Sequence, residues 1–488
     1  MTAATAPWPE RGEIPPPLPP PAPLPPGLDP LPPGLALTQP MGRRAMPAAE
    51  AAARWTFFHT LLAVLLLTYV WRVQQMVPIL GKLQLVSLAS LGALGLFFVS
   101  GAPARLGAMA RTRTFRLAAW TLALMLVSVV FALFPGQSAR FLYQDHLKTF
   151  LLMVLLAAGA NGVAHVERLC WTHVAGAVVY TLYVVTHFRM SGGRLQGLIY
   201  YDSNDLGMLL VGTLPFAVHG FRRAAGNAGR AAAGFAIAVC LMGIVKSGSR
   251  GALVGLAAVA LYMLFRYTTI PRGRRFGMAA VGLVAMLVAG NRQYWEMMQS
   301  MLHPTQDYNW SGNSPEGRME VWKRGIGYMA ARPLTGVGVS GFFVAEGTLS
   351  QRAKEAALRG HGLKWSAPHN SFVQAGAELG IPGLLLFIAL LAAAYRAGRL
   401  RAAGAPRDGP APPAVLLGQA FAASMVGYAV TAFFLSQAYA AFLYTLLGLG
   451  IAFEIAVPLA AAAPAAQPAA AVPRRRGGGW DLPSPQAA

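Results

Sequence analysis

Twelve apolar stretches alternate with polar ones along the middle of this chain. They lie near residues 56–72, 77–100, 115–134, 147–160, 169–188, 204–221, 231–246, 251–267, 275–290, 371–396, 414–434 and 437–459. Most approach the roughly 20 helical residues that cross a bilayer; the fourth, seventh and eighth are short. None shows the dyad alternation of a membrane β-barrel strand. The pattern predicts an all-α polytopic membrane protein with about twelve transmembrane helices.

The polar stretches carry an orientation signal. Arg43, Arg44 and Arg54 precede the first span; Arg105, Arg111, Arg113 and Arg116 follow the second; Arg222, Arg223 and Arg230 follow the sixth. Arg272, Arg274 and Arg275 follow the eighth, Arg396, Arg399, Arg401 and Arg407 the tenth, and Arg474, Arg475 and Arg476 the last. Basic clusters that recur only after even-numbered spans put both termini in the cytoplasm. The one long connection, 291–370, is then extracytoplasmic, and about 80 residues is long enough to be a functional element. Within it, 315–331 reads as an amphipathic helix with Pro315 near its start, ended by Pro333 and the glycines at 336, 338 and 341.

The layout is thus a Pro-rich leader (1–53), nine spans (54–290), a periplasmic loop (291–370), three spans (371–459) and a low-complexity tail (460–488). Residues 1–50 hold 16 of the 36 prolines, a composition that builds no core. A ligand for a Pro-binding module is the less favoured reading of that leader. No cleavable signal precedes the first apolar run.

Composition supports the membrane class: 55% of the 488 residues are hydrophobic and 12% charged. The net charge of +22 does not point to nucleic acid, because the basic residues are dispersed among apolar segments. Two cysteines, Cys170 and Cys240, both in apolar segments, argue against a zinc site or a disulfide framework.

No HExxH, Walker A or DxD pattern is present. Asp202 and Asp205 form the nearest acidic pair, in a segment where Ser203, Asn204 or Asp205 is suited to cap the sixth span. The outer side instead carries cations: Arg194 in SGGRLQGL, Lys246 and Arg250 in VKSGSRGAL, and Arg318 in GRMEVWKRG. Each has a bland alternative as an interfacial anchor. That alternative is weaker for Lys246 and Arg250, since cations in a Gly/Ser turn at membrane depth face a cavity or a partner. Guanidinium groups grip phosphate oxygens bidentately, so converging arginines suit a diphosphate whose lipid tail stays in the bilayer. His369, where the long loop re-enters the membrane, is either a polar interface residue or a general base, with Asn370 or Ser371 capping the tenth span. Glu378 lies about 13 Å further along a helix, too far to be its carboxylate partner and better suited to packing span ends or pairing an arginine.

In GRLQGLIYYDSNDLG, SGSRGALVGL, GRMEVWKRGIGYMAARPLTGVGVSGFF and HNSFVQAGAELGIPG, in that order, the run from Arg194 to Gly383 resembles the O-antigen ligase and O-antigen polymerase superfamily. The other spans match it only in hydropathy, and the Pro-rich leader lies outside its pattern. The resemblance implies a twelve-span GT-C-type fold with a periplasmic loop over the active site. It also implies transfer of a glycan from undecaprenyl diphosphate, without metal or cofactor. Arg194, Arg250 and Arg318 match the family's diphosphate-binding positions, and His369 matches the histidine that activates the acceptor. Lys148, in DHLKTFLLM, resembles a further basic residue of the family, which implies a fourth diphosphate-binding position there. Attack by a His-activated hydroxyl inverts the anomeric centre.

Three acceptors fit that donor: lipid A-core (a ligase), another lipid-linked repeat unit (a polymerase) or a protein. The HNSF…E-x-G element and the single dominant loop favour the ligase. A flippase or transporter would share the span number, but the chain has no internal repeat and no matched pair of broken spans. A structural scaffold would have no use for outward cations.

Overall fold

The computed structural model describes residues 54–70, 72–198, 201–312, 314–361, 365–403 and 411–458. All of them belong to one unit, Ala48–Ala488. The Pro-rich leader and the low-complexity tail lie outside the described residues.

The helices formed by the apolar segments, in chain order, are α1 (Phe57–Val70), α2 (Leu85–Val99), α3 (Arg113–Val130), α4 (Leu147–Gly159), α5 (Val163–His187), α6 (Ser203–Arg223), α7 (Asn227–Ser247), α8 (Arg250–Arg266) and α9 (Arg272–Ala289). In the long connection, α10 (Arg318–Ala331) and α11 (Phe342–Thr348) follow; α12 (Ser371–Ala402), α13 (Pro413–Ala432) and α14 (Ala441–Ala456) complete the set. The described chain is helical apart from a two-stranded hairpin, β1 (Met190–Ser191) and β2 (Arg194–Leu195).

This is a multi-pass membrane protein. Six helices are long and apolar enough to cross a bilayer, or eight if each of two sharply bent pairs counts as one span. The difference from the twelve expected segments has a physical basis. The first and last segments fold as helices of only 14 and 16 residues. The second and ninth bend by 81° and 113° into short following helices instead of ending cleanly. The eighth, α8, has 17 residues, and the sixth, α6, is 21 residues long but carries Asn204 and Asp205 at one end and His219, Arg222 and Arg223 toward the other.

The centre of the bundle is α6 against α13. From Ser203 to Gly220 nearly every residue of α6 is buried, and so is most of α13. The Ser424 hydroxyl donates to the Gly212 carbonyl across their contact (2.7 Å), the kind of small-residue packing that holds membrane helices together where lipid removes the hydrophobic drive. On the periphery, α9 buries only Met286 and exposes Val281, Leu283, Val284 and Val288. Such a face is stable in hydrocarbon, because its backbone bonds are made within the helix.

One irregularity organises the long connection. Helix α12 is broken at Gly380 (φ 72°, ψ −170°), and Pro382, which has no N–H, follows. The backbone groups freed there are taken up by residues 333–338. Ile381 N–H donates to Pro333 O (2.8 Å), Val337 N–H to Ala377 O (2.9 Å) and Gly338 N–H to Glu378 O (3.0 Å). The other side of that segment is held by α3 and the residues after it. Leu133 N–H donates to Val337 O (3.0 Å), Ser138 Oγ to Val339 O (2.7 Å) and Val339 N–H to Ser128 Oγ (3.2 Å). Val337 and Val339 are fully buried. The connection is therefore threaded into the helical body at its midpoint. The helix expected at 315–331 forms from Arg318, and its end falls where Pro333 and the following glycines predict.

Gly336 (φ 63°) has no room for a side chain: a Cβ there would lie 2.4 Å from the Glu378 backbone carbon. Gly336→Ala is expected to cost about 1–3 kcal/mol through the left-handed conformation and that clash. Gly327→Ala, inside α10 with nothing within 4 Å, is expected to be neutral or to stabilise by up to about 1 kcal/mol. Thermal unfolding of the two purified variants checks the contrast, and equal midpoints would refute the docking of 333–338 as a stabilising contact.

Candidate functional site

A cavity of about 610 Å³ opens where the amino ends of four helices meet. Its lining includes Asp202 and Asn204 at the start of α6, Ser249 and Arg250 at the start of α8, Arg318 opening α10 and His369 just before α12. Each amino terminus presents N–H groups without a partner inside its own helix, and the positive end of a helix dipole. Three are capped by side chains. Asp202 accepts from Asn204 N–H (2.7 Å) and Asp205 N–H (2.8 Å), while Asp205 accepts from Asp202 N–H (3.2 Å). That is a capping box, so the cap is Asp202 and not one of the three residues after it. Ser249 caps α8 through Ala252 N–H (3.2 Å). Asn370 caps α12 through Phe372 (2.9 Å) and Val373 (3.1 Å) N–H, one of the two residues expected there. The fourth, α10, begins after Gly317 with no side-chain cap.

Arg194 reaches the cavity from the hairpin. Gly192 (φ 56°) and Gly193 (φ 79°) make the two-residue turn, whose left-handed conformations favour glycine. The hairpin leans on the turn after α7, where Gly248 (φ 59°) lets it approach: a Cβ on Gly248 would sit 2.5 Å from Arg194 Cβ. The Ser203 hydroxyl fixes the following residue by donating to Leu195 O (2.5 Å). Arg194 Nε is buried with no hydrogen-bond partner among the described residues. Such a buried donor is costly unless a ligand takes it.

Arg250, through Nη1, donates to Ser300 Oγ (3.0 Å) and closely to the Asp307 carboxylate. Burial alone would raise the Asp307 carboxyl, but the hydrogen bonds from Arg250 and Asn309 and the charge of Arg250 hold it below the usual carboxylate range. Asp307 is therefore ionised at neutral pH. Burial, then repulsion from Arg250, brings the Arg318 guanidinium down to about 10, against the attraction of Asp202 and Asp307 and with further repulsion from Arg194. At neutral pH it stays cationic.

His369 is half-buried and left-handed (φ 45°), a conformation that costs a non-glycine residue energy and is found where the surroundings enforce it. They do so from two sides. His369 N–H donates to Ser436 Oγ (2.8 Å), and Trp322 Nε1 of α10 donates to the Pro368 carbonyl (2.8 Å). Ser371 ties the same turn, its hydroxyl donating to Leu435 O (2.7 Å) and accepting from Gln437 N–H (2.9 Å).

A second, apolar cavity of about 360 Å³ shares Arg250, Gly251, Arg318 and Phe434 with the first, and Val254, Met301, Trp310 and Phe433 complete much of its wall. The two cavities thus put guanidinium groups at the border between a polar and an apolar space.

The structure brings together Arg194, Arg250, Arg318 and His369, although Arg194 and His369 stand 175 positions apart in the chain. It does not bring Lys148 or Lys246 into the lining. Lys148 is exposed at the start of α4, and Lys246 is half-buried in the last turn of α7. Glu378 is buried in α12, where Oε1 accepts from Phe342 N–H (3.4 Å). It ties α11 to the broken span. Among the described residues no three His, Cys, Asp or Glu side chains cluster to hold a metal ion.

Sequence reasoning missed Asp307, which stands in no motif, Phe434, which hydropathy absorbs into the end of the eleventh span, and Leu435, which falls in the short gap before the twelfth. It also missed the scaffold of the connection. Arg324 of α10 donates to both carboxylate oxygens of Glu346 in α11 (2.8 and 2.6 Å), and Tyr328 donates to the same group (2.8 Å). Partners 22 residues apart on separate helices leave no periodic signal.

Residues 235–388 match the family model described as O-Antigen ligase. The matched stretch contains Arg250, Arg318 and His369; Arg194 precedes it. No curated protein matches the chain.

Gly248→Ala should disturb the hairpin without touching any charged group. Amide exchange over 190–196 is expected to rise several-fold while that of α10 stays unchanged, read by hydrogen exchange and mass spectrometry. Unchanged exchange in the hairpin would mean that Gly248 does not support it.

Proposed function

We propose that this chain, which carries the O-antigen ligase family domain in residues 235–388, transfers a glycan from undecaprenyl diphosphate to an acceptor hydroxyl at the periplasmic face of the inner membrane. The observation that carries this reading is one cavity lined by Arg194, Arg250, Arg318 and His369. The family is one of lipid-linked glycan transfer, of the O-antigen ligase and polymerase type. The apolar cavity bordering two of the arginines supports a donor that is charged at one end and hydrocarbon at the other.

The chemistry needs three things from the protein. The donor's diphosphate has to be held, which the arginines do through charge-assisted hydrogen bonds. The acceptor hydroxyl has to lose its proton, which neutral His369 takes as general base. Its oxygen then attacks the anomeric carbon on the face opposite the diphosphate. The bond from that carbon to the diphosphate oxygen breaks, undecaprenyl diphosphate leaves, and the anomeric configuration inverts. Charge developing on the leaving oxygen is stabilised by guanidinium groups already in place, so the step requires no metal ion.

The favoured acceptor is lipid A-core, as in an O-antigen ligase. The loop asymmetry of the arginines supports cytoplasmic termini and a periplasmic cavity. The twelve-span, GT-C-type architecture belongs to the same reading. Lys148, which the resemblance places with the diphosphate-binding residues, stands outside the cavity lining.

Purified protein supplied with lipid-linked glycan, candidate acceptors and a chelator tests the proposal. Transfer is expected to survive chelation and to fall by about 10²-fold or more in His369→Ala, with donor binding kept. Full activity in that variant would sink the general base, and a requirement for Mg²⁺ would sink the metal-free step. Label appearing on a second lipid-linked repeat unit, or on protein, would identify a polymerase or a protein glycosyltransferase instead.

A further inference from the structure

We propose that Asp307 is a built-in competitor for the donor: its carboxylate holds Arg250 in the empty site and yields it to the diphosphate. The inference rests on the reading of the cavity as a diphosphate site.

The first ground is position. Arg250 is the first residue of α8, where helix dipole and guanidinium together make the most favourable place for an anion. Ser249 caps the helix, and the guanidinium already has an anion on it. The Asp307 side chain is only 8% exposed, its Oδ2 is on Arg250 Nη1 and its Oδ1 accepts from Asn309 N–H (2.8 Å). It stands where a phosphate oxygen would.

The second ground is charge. The cavity lining holds three arginines, Arg194, Arg250 and Arg318, and three carboxylates, Asp202, Asp307 and Glu316. As it stands this set is balanced. A diphosphate diester brings about two further negative charges, and at close range like charges repel strongly in a site of low dielectric. One carboxylate has to give way for the donor to gain a cation. Asp202 is committed to capping α6. Glu316 faces Arg352 at 3.9 Å. Asp307 alone among the three is bonded to a cavity arginine within the described residues.

The third ground is what Asp307 is attached to. It lies in a stretch of turns between the short helix ending at Leu302 and α10, so releasing it breaks no helix. Three residues on, Trp310 packs edge-on against Trp322 (ring centres 5.4 Å apart) and Phe434 (6.3 Å), and it forms part of the apolar cavity's wall. Exchange of Asp307 for phosphate therefore shifts the wall of the neighbouring cavity. Arrival of the charged end makes room for the hydrocarbon end.

Binding of undecaprenyl diphosphate to the full-length protein in nanodiscs, with undecaprenol as the uncharged control, tests the exchange. Asp307→Asn keeps the side chain's shape and removes its charge, and is expected to bind undecaprenyl diphosphate about 10-fold more tightly than wild type. Asp307→Glu, which keeps the competitor, is expected to stay within about 2-fold of wild type. Introducing Arg250→Ala into both wild type and Asp307→Asn should abolish the difference between them. Equal or weaker binding by Asp307→Asn would overturn the proposal and show instead that Asp307 orients Arg250 for the donor. Failure of both wild type and Asp307→Asn to prefer the diphosphate over undecaprenol would overturn the diphosphate reading itself. Should Asp307→Asn not fold, hydrogen exchange of wild type decides. Residues 303–311 are expected to exchange faster with undecaprenyl diphosphate bound than with undecaprenol, and slower or unchanged exchange counts against the release.

Discussion

Backbone polar groups have no water to bond to inside a bilayer, and the break in α12 at Gly380 frees several of them. Their partners come from Pro333, Val337 and Gly338. Much of what is distinctive about this protein follows from that exchange. It pins the middle of an otherwise surface-bound connection into the helical body. The Arg324–Glu346 pair and Tyr328 then fix α10 to α11, and Glu378 fixes α11 to the broken span. With α10 held, Trp322 lies against the turn before α12, Arg318 shares the cavity lining with His369, and His369 is caught between α10 and the turn at Leu435–Gln437.

The consequence is a polar cavity with an unusual electrostatic setting. Four helix amino termini and three guanidinium groups concentrate positive potential in one place. Side-chain caps on three of the helices and three carboxylates in the lining compensate it. Compensation of that kind lets half-buried cations persist without an anion always bound, since an unpaired buried charge is costly. It also means that an anion entering the cavity meets the protein's own carboxylates as well as its arginines. The buried, partnerless Nε of Arg194 is the part of this arrangement that the described residues do not satisfy.

The family match covers the second half of the site, from Arg250 to His369, while Arg194 comes from a hairpin outside it. The hairpin's approach depends on Gly248, within the matched stretch. The site is therefore assembled across the boundary of the matched stretch, with the hairpin seated on the turn after α7.

Hydropathy and the spacing of basic loops were sufficient for the membrane class, the helical architecture and the single long connection, because those properties depend on local composition. The local motifs around Arg194, Arg250, Arg318 and His369 were legible too, since glycine turns and helix starts are written in adjacent residues. Span number was less so: whether an apolar run ends, bends or continues is decided by what packs against it, as the 81° and 113° bends after α2 and α9 illustrate. Which cations face the cavity was also a tertiary matter. Lys246 looks as suitable as Arg250 along the chain, yet only helix packing sets the direction in which a side chain points. Asp307 and Glu346 carried no sequence signal at all, because their partners, Arg250 and Arg324, lie 57 and 22 residues away on other elements, and only the folded chain brings those charges together.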